Sequence, residues 1–151
     1  MYAVIRIRGK VGTKKEIEDT LKMLRLEKVN SCVVLEERED LKGMIEKVKN
    51  FVTYGEIDFN VFFEMLKKRG RISESKRLTE ENVKELGFNS IEELALEIFE
   101  GRKKMKEIKN LKPVFRLTPP SKGFKSLKEF YPKGDIGYRG KEINELLRRM
   151  I

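Results

Sequence analysis

The fold is decided by residues 2–36, YAVIRIRGKVGTKKEIEDTLKMLRLEKVNSCVVLE. Residues 2–8 alternate between two faces, one of them wholly apolar, and this spacing predicts a half-buried strand. Thr13 is followed three residues later by a glutamate, which matches a capping box and predicts a helix over about 14–25. The β-branched run at 30–36 predicts a second strand.

The alternation of strand and helix continues as far as residue 55. Asp40 is predicted to cap a short second helix, and Phe51–Tyr54 is predicted to form a third strand that ends at Gly55. We therefore expect an α/β (α+β) chain in which residues 1–55 form a small βαβαβ core sheet.

The remaining residues predict an extension in two parts. Helix caps at Asp58, Thr79 and Ser90 predict a helical part over residues 56–111. The second part, 112–151, is predicted to contain a strand at Val114–Thr118, an irregular extended basic arm at 121–140 and a C-terminal amphipathic helix packing on the core.

The chain has a formal net charge of +9, and the excess is unevenly distributed. Residues 1–15 carry five positive side chains and no acid, residues 101–134 carry eleven against two acids, and residues 78–100 have a net charge of −6. Clustered positive charge indicates an anionic partner, either nucleic acid or an acidic membrane face. A general enrichment in lysine is the alternative explanation.

Several classes of protein are disfavoured by what the sequence lacks. Cys32 is the single cysteine and there is no histidine, so no intramolecular disulfide, thiolate zinc cluster or imidazole-dependent triad can form. The N-terminus has no apolar signal region and no apolar run approaches 18 residues, so we expect a cytoplasmic protein without membrane contact. We expect neither a cofactor nor a metal.

The first basic segment, residues 6–15 (RIRGKVGTKK), joins a strand end to a helix start. Lysines at the first helical positions oppose the helix dipole, and a local rule broken in this way suggests a functional role. Free amides there attract phosphate. The candidate RNA-contacting residues of this segment are Arg6, Arg8, Gly9, Lys10, Lys14 and Lys15. Exposed lysines without a partner are the alternative, and the glycine spacing does not match a P-loop.

The second basic segment, residues 112–140, mixes cations with aromatic rings. Cations neutralise phosphates and rings stack on exposed bases, which are the usual ingredients of RNA contact. A loop whose aromatics, notably Phe130 or Tyr131, simply pack onto the body is the alternative. Its candidate RNA-contacting residues are Arg116, Lys122, Phe124, Lys125, Lys133 and Arg139.

Together the segments RIRGKVGTKKEIEDTLKMLRLEKVNSCVVLE, LKGMIEKVKNFVTYGEI and FRLTPPSKGF resemble the L-thirty family of large-subunit ribosomal proteins in its long archaeal form. The resemblance spans nearly the whole chain. It implies a ferredoxin-like core that binds large-subunit rRNA, neighbouring ribosomal proteins as partners, and no catalytic residues or small-molecule substrate. It leaves open whether 5S rRNA is a neighbour. By motif position it implies RNA contact by Arg8, Gly9, Lys42, Gly43, Lys47, Arg116, Pro119, Pro120 and Lys122.

Two other functions remain possible at this point. A ferredoxin-like regulatory module would bind a small ligand between its sheet and its helices. An RNA-modifying enzyme would use carboxylates, but the glutamates at the helix starts, such as Glu80 and Glu93, are explained by capping. The preferred hypothesis is a structural constituent of the large ribosomal subunit whose acidic stretch, 78–100, faces away from RNA.

Overall fold

A computed structural model describes residues 1–73 and 75–151. The three central strands are β1 (Tyr2–Arg6), β2 (Ser31–Leu35) and β3 (Val52–Glu56), and the helices between them are α1 (Lys15–Met23) and α2 (Glu39–Lys47). The predicted βαβαβ order is confirmed. β1 is the central strand and pairs antiparallel with both neighbours.

Two short strands from the C-terminal third widen this sheet. β4 (Phe115–Arg116) pairs antiparallel with β2, and β5 (Gly137–Tyr138) pairs parallel with β3. The strand order across the sheet is β4-β2-β1-β3-β5. The fold is thus a mixed α/β, ferredoxin-like arrangement, as expected, and β5 is a fifth strand that the sequence did not predict.

The extension supplies three further helices, which the sequence predicts in outline. They are α3 (Phe59–Arg69), α4 (Ile91–Phe99) and α5 (Ile143–Met150). Short 3₁₀ turns lie at Asn82–Leu86, Met105–Glu107 and Gly140–Glu142. No described helix has the length and apolar character that crossing a membrane requires.

Helices cover both faces of the sheet. Val4 of β1 packs with α1 and α2 in one apolar cluster, whereas Ala3 and Ile5 pack with α3, α4 and α5 in the other. The expectation of a half-buried first strand is therefore wrong, because α1 and α2 cover the Val4 face that alternation left for solvent, while the extension covers the apolar face. The charged Arg6 of that strand is fully buried.

Helix starts are the least accurate part of the sequence analysis. Thr13 does not cap α1, since its hydroxyl donates to the Gly9 carbonyl, 3.3 Å away, and Lys14 occupies the cap position. Asp40 lies inside α2 rather than at its cap. Ser90 is confirmed as a cap, because its Oγ accepts from the Glu93 amide at 3.1 Å.

The region predicted as an irregular arm, 121–140, is folded onto the sheet and includes β5. Asp135 is buried within it, and its carboxylate accepts hydrogen bonds from the backbone amides of Lys125 and Ser126. Gly55 lets the end of this segment lie close against β3, since a Cβ at that position would be 1.9 Å from the Gly140 carbonyl oxygen. The C-terminal third is therefore part of the core.

Candidate nucleic-acid interface

Strand register brings the two basic segments to one end of the sheet. β1 finishes at Arg6, which pairs with Val52 at the start of β3, and the Asn30 amide donates to the Arg6 carbonyl at 2.7 Å. Arg116 pairs with Ser31 at the start of β2. We call this end, with the loops that leave it, the basic end of the sheet.

The first basic segment forms an open loop at the basic end. Val11, at its tip, is 99% exposed, and Gly12 has a φ of 73°, which glycine adopts without strain. Lys10, Lys14 and Lys15 are exposed and form no ion pair within the described part of the chain. The start of α1 also has no side-chain cap, so its free amides and these lysines together offer positive potential to an anion.

Arg8 is held in a defined orientation beside this loop. Its guanidinium lies 5.1 Å from the centre of the Phe51 ring and donates to the Asn50 carbonyl at 3.3 Å. Only part of the guanidinium's donor capacity is used there, since it has five N–H groups. Arg8 and the adjacent exposed Gly9 therefore remain available to a partner.

The second basic segment contributes an anchored turn. The Thr118 amide donates to the Met150 carbonyl at 3.1 Å, and the Ser121 amide donates to that of Arg149 at 3.1 Å. These bonds fix the turn against the end of α5. The candidate residues of the segment that are exposed are Arg116, Pro119, Lys122, Lys125 and Lys133.

A tight loop before β5 lies at the same end, because β5 runs parallel to β3. The Gly134 amide donates to the Phe130 carbonyl at 3.0 Å, and the Lys49 ammonium lies 5.9 Å from the Phe130 ring centre. Phe130 remains 46% exposed, whereas Tyr131 lies under the Arg139 guanidinium at 5.1 Å. The packed alternative applies to Tyr131, and Phe130 is accessible to a base.

Several candidate residues are not available for contact. Arg6 and Arg139 are buried and bonded internally, and Pro120 is buried as well. Phe124 is half-buried against the larger apolar cluster, so its ring serves packing. For these four side chains the expectation of a direct RNA contact disagrees with the structure. Residue type alone does not show whether a basic or aromatic side chain is bonded or packed inside the protein.

The family resemblance implied RNA contact by three residues of α2, and these lie towards opposite ends of the sheet. Lys47 lies near the basic end, where its ammonium pairs with Glu16 at 2.7 Å. Lys42 is at the other end, 6.0 Å from the ring centre of Tyr2, and the exposed Gly43 follows it. Lys42 and Gly43 are therefore separate from the two basic segments.

Two cations at the basic end were not among the predicted RNA-contacting residues. Lys28 is exposed in the turn before β2, and Lys49 is exposed beside Phe130. Residues 16–77 contain equal numbers of both charges, so counting charge along the chain gave no signal there. Their position in turns adjoining the strand ends could have identified them.

Three tyrosines form an aromatic row across β1, β3 and β5. The ring of Tyr54 lies 5.8 Å from Tyr2 and 5.3 Å from Tyr138, centre to centre. The Tyr138 hydroxyl donates to the Glu56 carboxylate, and this bond raises the pKa of Tyr138 to about 12. The pKa of Tyr54 is raised as well, chiefly by burial.

The Tyr138–Glu56 bond predicts a late tyrosine titration. We expect one phenol to ionise near pH 12, and Glu56→Gln to return its pKa towards 10, because the charged acceptor is lost. The folded pKa exceeds the unfolded one, so this stabilisation is complete below about pH 10 and is lost as pH rises through about 12. Carbon NMR of the tyrosine ring, with Tyr138→Phe for assignment, measures both values, and titration at the ordinary pKa in the parent would contradict the bond.

The cysteine and the acidic side chains bear on catalysis and on metal binding. Cys32 is buried and its pKa is raised by desolvation, so its thiol is held in the unreactive form. Within residues 1–73 and 75–151, no cluster of three or more acidic or cysteine side chains could hold a metal ion. What remains is a surface with the chemistry of phosphate binding.

Comparison with known proteins shows the family of this chain. A family model described as ribosomal protein L30p/L7e matches residues 2–52. The chain is 49% identical over 154 residues to large ribosomal subunit protein uL30 of Nanoarchaeum equitans, with 100% of this chain and 99% of the relative covered. It is 47% identical to the protein of the same name from Archaeoglobus fulgidus, with 99% of each covered. For a Methanococcus maripaludis protein of that name the identity is 51%, again with 99% of each covered.

These similarities extend over the full length of the chain, and they assign it to the class of ribosomal proteins. The chain belongs to the uL30 family of large ribosomal subunit proteins. The resemblance to the long archaeal form is confirmed.

Proposed function

We propose that this chain is a structural component of the large ribosomal subunit and binds large-subunit rRNA through the basic end of its sheet. The single observation that carries the proposal of a binding surface is the register that brings Arg8–Lys15 and Arg116 to one end. Family membership supplies the ribosomal setting.

The chemistry of this surface favours contact with the RNA backbone. Lys10, Lys14 and Lys15 are unpaired in the described residues, so binding need not break an existing ion pair. Each neutralised phosphate releases condensed counterions, which makes affinity depend on salt. The lysines carry no base-specific geometry, so we infer that the protein fixes RNA shape rather than reading sequence. Phe130 is the side chain placed to stack on an unpaired base.

We infer a non-catalytic, assembly role. The family is a structural one, and Glu16, the carboxylate that follows Lys15, is paired with Lys47. The regulatory module that binds a small ligand receives no support from the comparisons, all of which concern ribosomal proteins.

A charge-removal variant tests the RNA surface. We expect Lys14→Gln with Lys15→Gln to weaken binding to transcribed large-subunit rRNA and to lower the salt slope by about 1.4–1.8, at roughly 0.7–0.9 per phosphate contact. Folding should be unaffected, because both lysines are exposed and oppose the α1 dipole. Filter binding over a range of potassium chloride concentrations measures the slope.

The matched control removes two lysines elsewhere. Lys84 and Lys141 are exposed, form no ion pair in the described residues, and lie outside residues 6–15 and 112–140. Their double replacement by glutamine makes the same change in net charge. An equal loss of slope in both variants would mean that overall charge, and not the basic end, determines binding.

Partners and location follow from the same proposal. We infer that the chain resides in ribosomes of the cytoplasm and touches neighbouring ribosomal proteins. Whether 5S rRNA is a neighbour is decided by hydroxyl-radical footprinting of large subunits with and without the chain: protection of 5S rRNA supports contact, and protection confined to the large rRNA contradicts it.

A further inference from the structure

The outer edge of β2 is only partly paired. β4 covers Ser31 and Cys32, and the remaining residues of β2, Val33–Leu35, have no strand partner on that side among the described residues. Pro113 precedes β4 and has no amide hydrogen, so the chain cannot continue the ladder there with a donor. An unpaired strand edge is a template for another extended segment.

A groove of about 230 Å³ runs along this open edge. Its walls come from both helical layers, so alternate side chains of an added strand would enter opposite walls. Met23 is 72% exposed at the mouth, where an added strand would cover it. Beyond β2 itself, the apolar lining includes Met23, Leu24 and Leu41 on one side and Ile98, Met105 and Pro113 on the other.

The rim of the groove is mostly cationic. Arg25, Arg38, Lys104 and Lys106 line it, against a single acid, Glu36. Lys104 lies 4.0 Å from Glu36 and Arg38 pairs with Asp40 at 2.9 Å, while Arg25 and Lys106 form no ion pair within the described part of the chain. The groove therefore has surplus positive charge around an apolar floor.

We propose that this edge receives a short extended peptide from a neighbouring protein, with apolar residues in alternation and acidic residues beside them. Backbone hydrogen bonds to Val33–Leu35 would supply the pairing, the two apolar walls would accept alternate side chains, and the cationic rim would select acidic flanks. RNA fits less well, because its charged backbone cannot use an apolar floor lined by methionines. This contact is separate from the basic end, although it assumes the same assembly.

Site-specific photocrosslinking in assembled large subunits tests the proposal. The full-length chain carries p-benzoylphenylalanine in place of Met23, and a second chain carries it in place of Val11, in the first basic segment. We expect Met23 to crosslink to one extended segment of another ribosomal protein with apolar and acidic residues, and Val11 to crosslink to rRNA. Mass spectrometry identifies both products.

A charge-reversed chain provides the specificity control. Lys104→Glu with Lys106→Glu should reduce the Met23 crosslink about tenfold, since repulsion replaces attraction for an acidic segment, and leave the Val11 crosslink unchanged. A Met23 crosslink to rRNA, to a second copy of this chain, to a helical or basic segment, or to nothing overturns the peptide proposal. Loss of the Val11 crosslink to rRNA alone would instead reject the proposed RNA surface, so the two failures are distinguishable. A chain that never enters subunits overturns both.

Discussion

Replacing Arg6 by alanine lowers the free energy of unfolding by about 3–5 kcal/mol, the usual cost of breaking a buried ion pair from one side. Its guanidinium donates to Glu18 Oε1 at 2.7 Å and to the Leu26 carbonyl at 2.9 Å, and its Nε donates to the Arg8 carbonyl at 2.8 Å. Removal leaves these acceptors without a donor. Equilibrium urea unfolding measures the loss.

The matched control for Arg6 is an arginine in a surface pair. Arg38 lies 2.9 Å from Asp40, and the two side chains are 41% and 66% exposed, so Arg38→Ala should cost no more than about 1 kcal/mol. The folded fraction of the Arg6 variant should bind rRNA with unchanged affinity. Lost affinity with unchanged stability would restore the direct contact that the sequence suggested.

Replacing Arg139 by alanine has a similar expected cost, about 3–5 kcal/mol, because it leaves Asp135 charged and buried. Arg139 Nη2 lies 2.9 Å from Asp135 Oδ1, with the side chains 3% and 6% exposed. Arg139 Nε also donates to Thr53 Oγ1 at 2.8 Å, and that hydroxyl donates to the Gly137 carbonyl. The variant therefore loosens the pairing of β5 with β3.

Hydrogen exchange locates this second effect. In Arg139→Ala we expect faster amide exchange at Lys125, Ser126 and Arg139, whose amides are bonded in the parent, with less change in β1. Lys133→Ala, in the same loop but exposed, is the control and should stay within about 0.5 kcal/mol. Uniform loss of protection throughout the chain would mean that the segment does not unfold separately.

The elements of the fold were predictable where local periodicity is strong. The alternation at 2–8 and the spacing of apolar residues in α1 and α3 each report a buried face directly, and the structure has strands and helices there. The capping error at Thr13 has a local cause, since its hydroxyl found the Gly9 carbonyl instead of an amide. Residue type does not show which of two nearby backbone groups a hydroxyl will bond.

The arrangement of the surface was less predictable, since it depends on pairing between distant segments. Arg6 and Arg8 are two residues apart and look alike in the sequence, yet one is fully buried and the other is partly open. What separates them is Glu18 and the carbonyls after α1, which only tertiary packing brings together. Likewise Asp135 and Arg139, four residues apart, gave no warning that the region between 121 and 140 has a polar centre.

The pairing of β5 with β3 also has a consequence for synthesis. Thr53 pairs with Gly137, and 83 residues lie between them in the sequence. These residues must be translated before β5 can pair with the edge of β3. Ala3, Ile5 and Ile7 are covered later still, when α5, the last of the described helices, has been made. The nascent first third is thus a sheet with one bare apolar face and an open edge, the state most exposed to misassociation and to chaperone capture. The time from translation of β3 to release of the finished chain sets how long that exposure lasts.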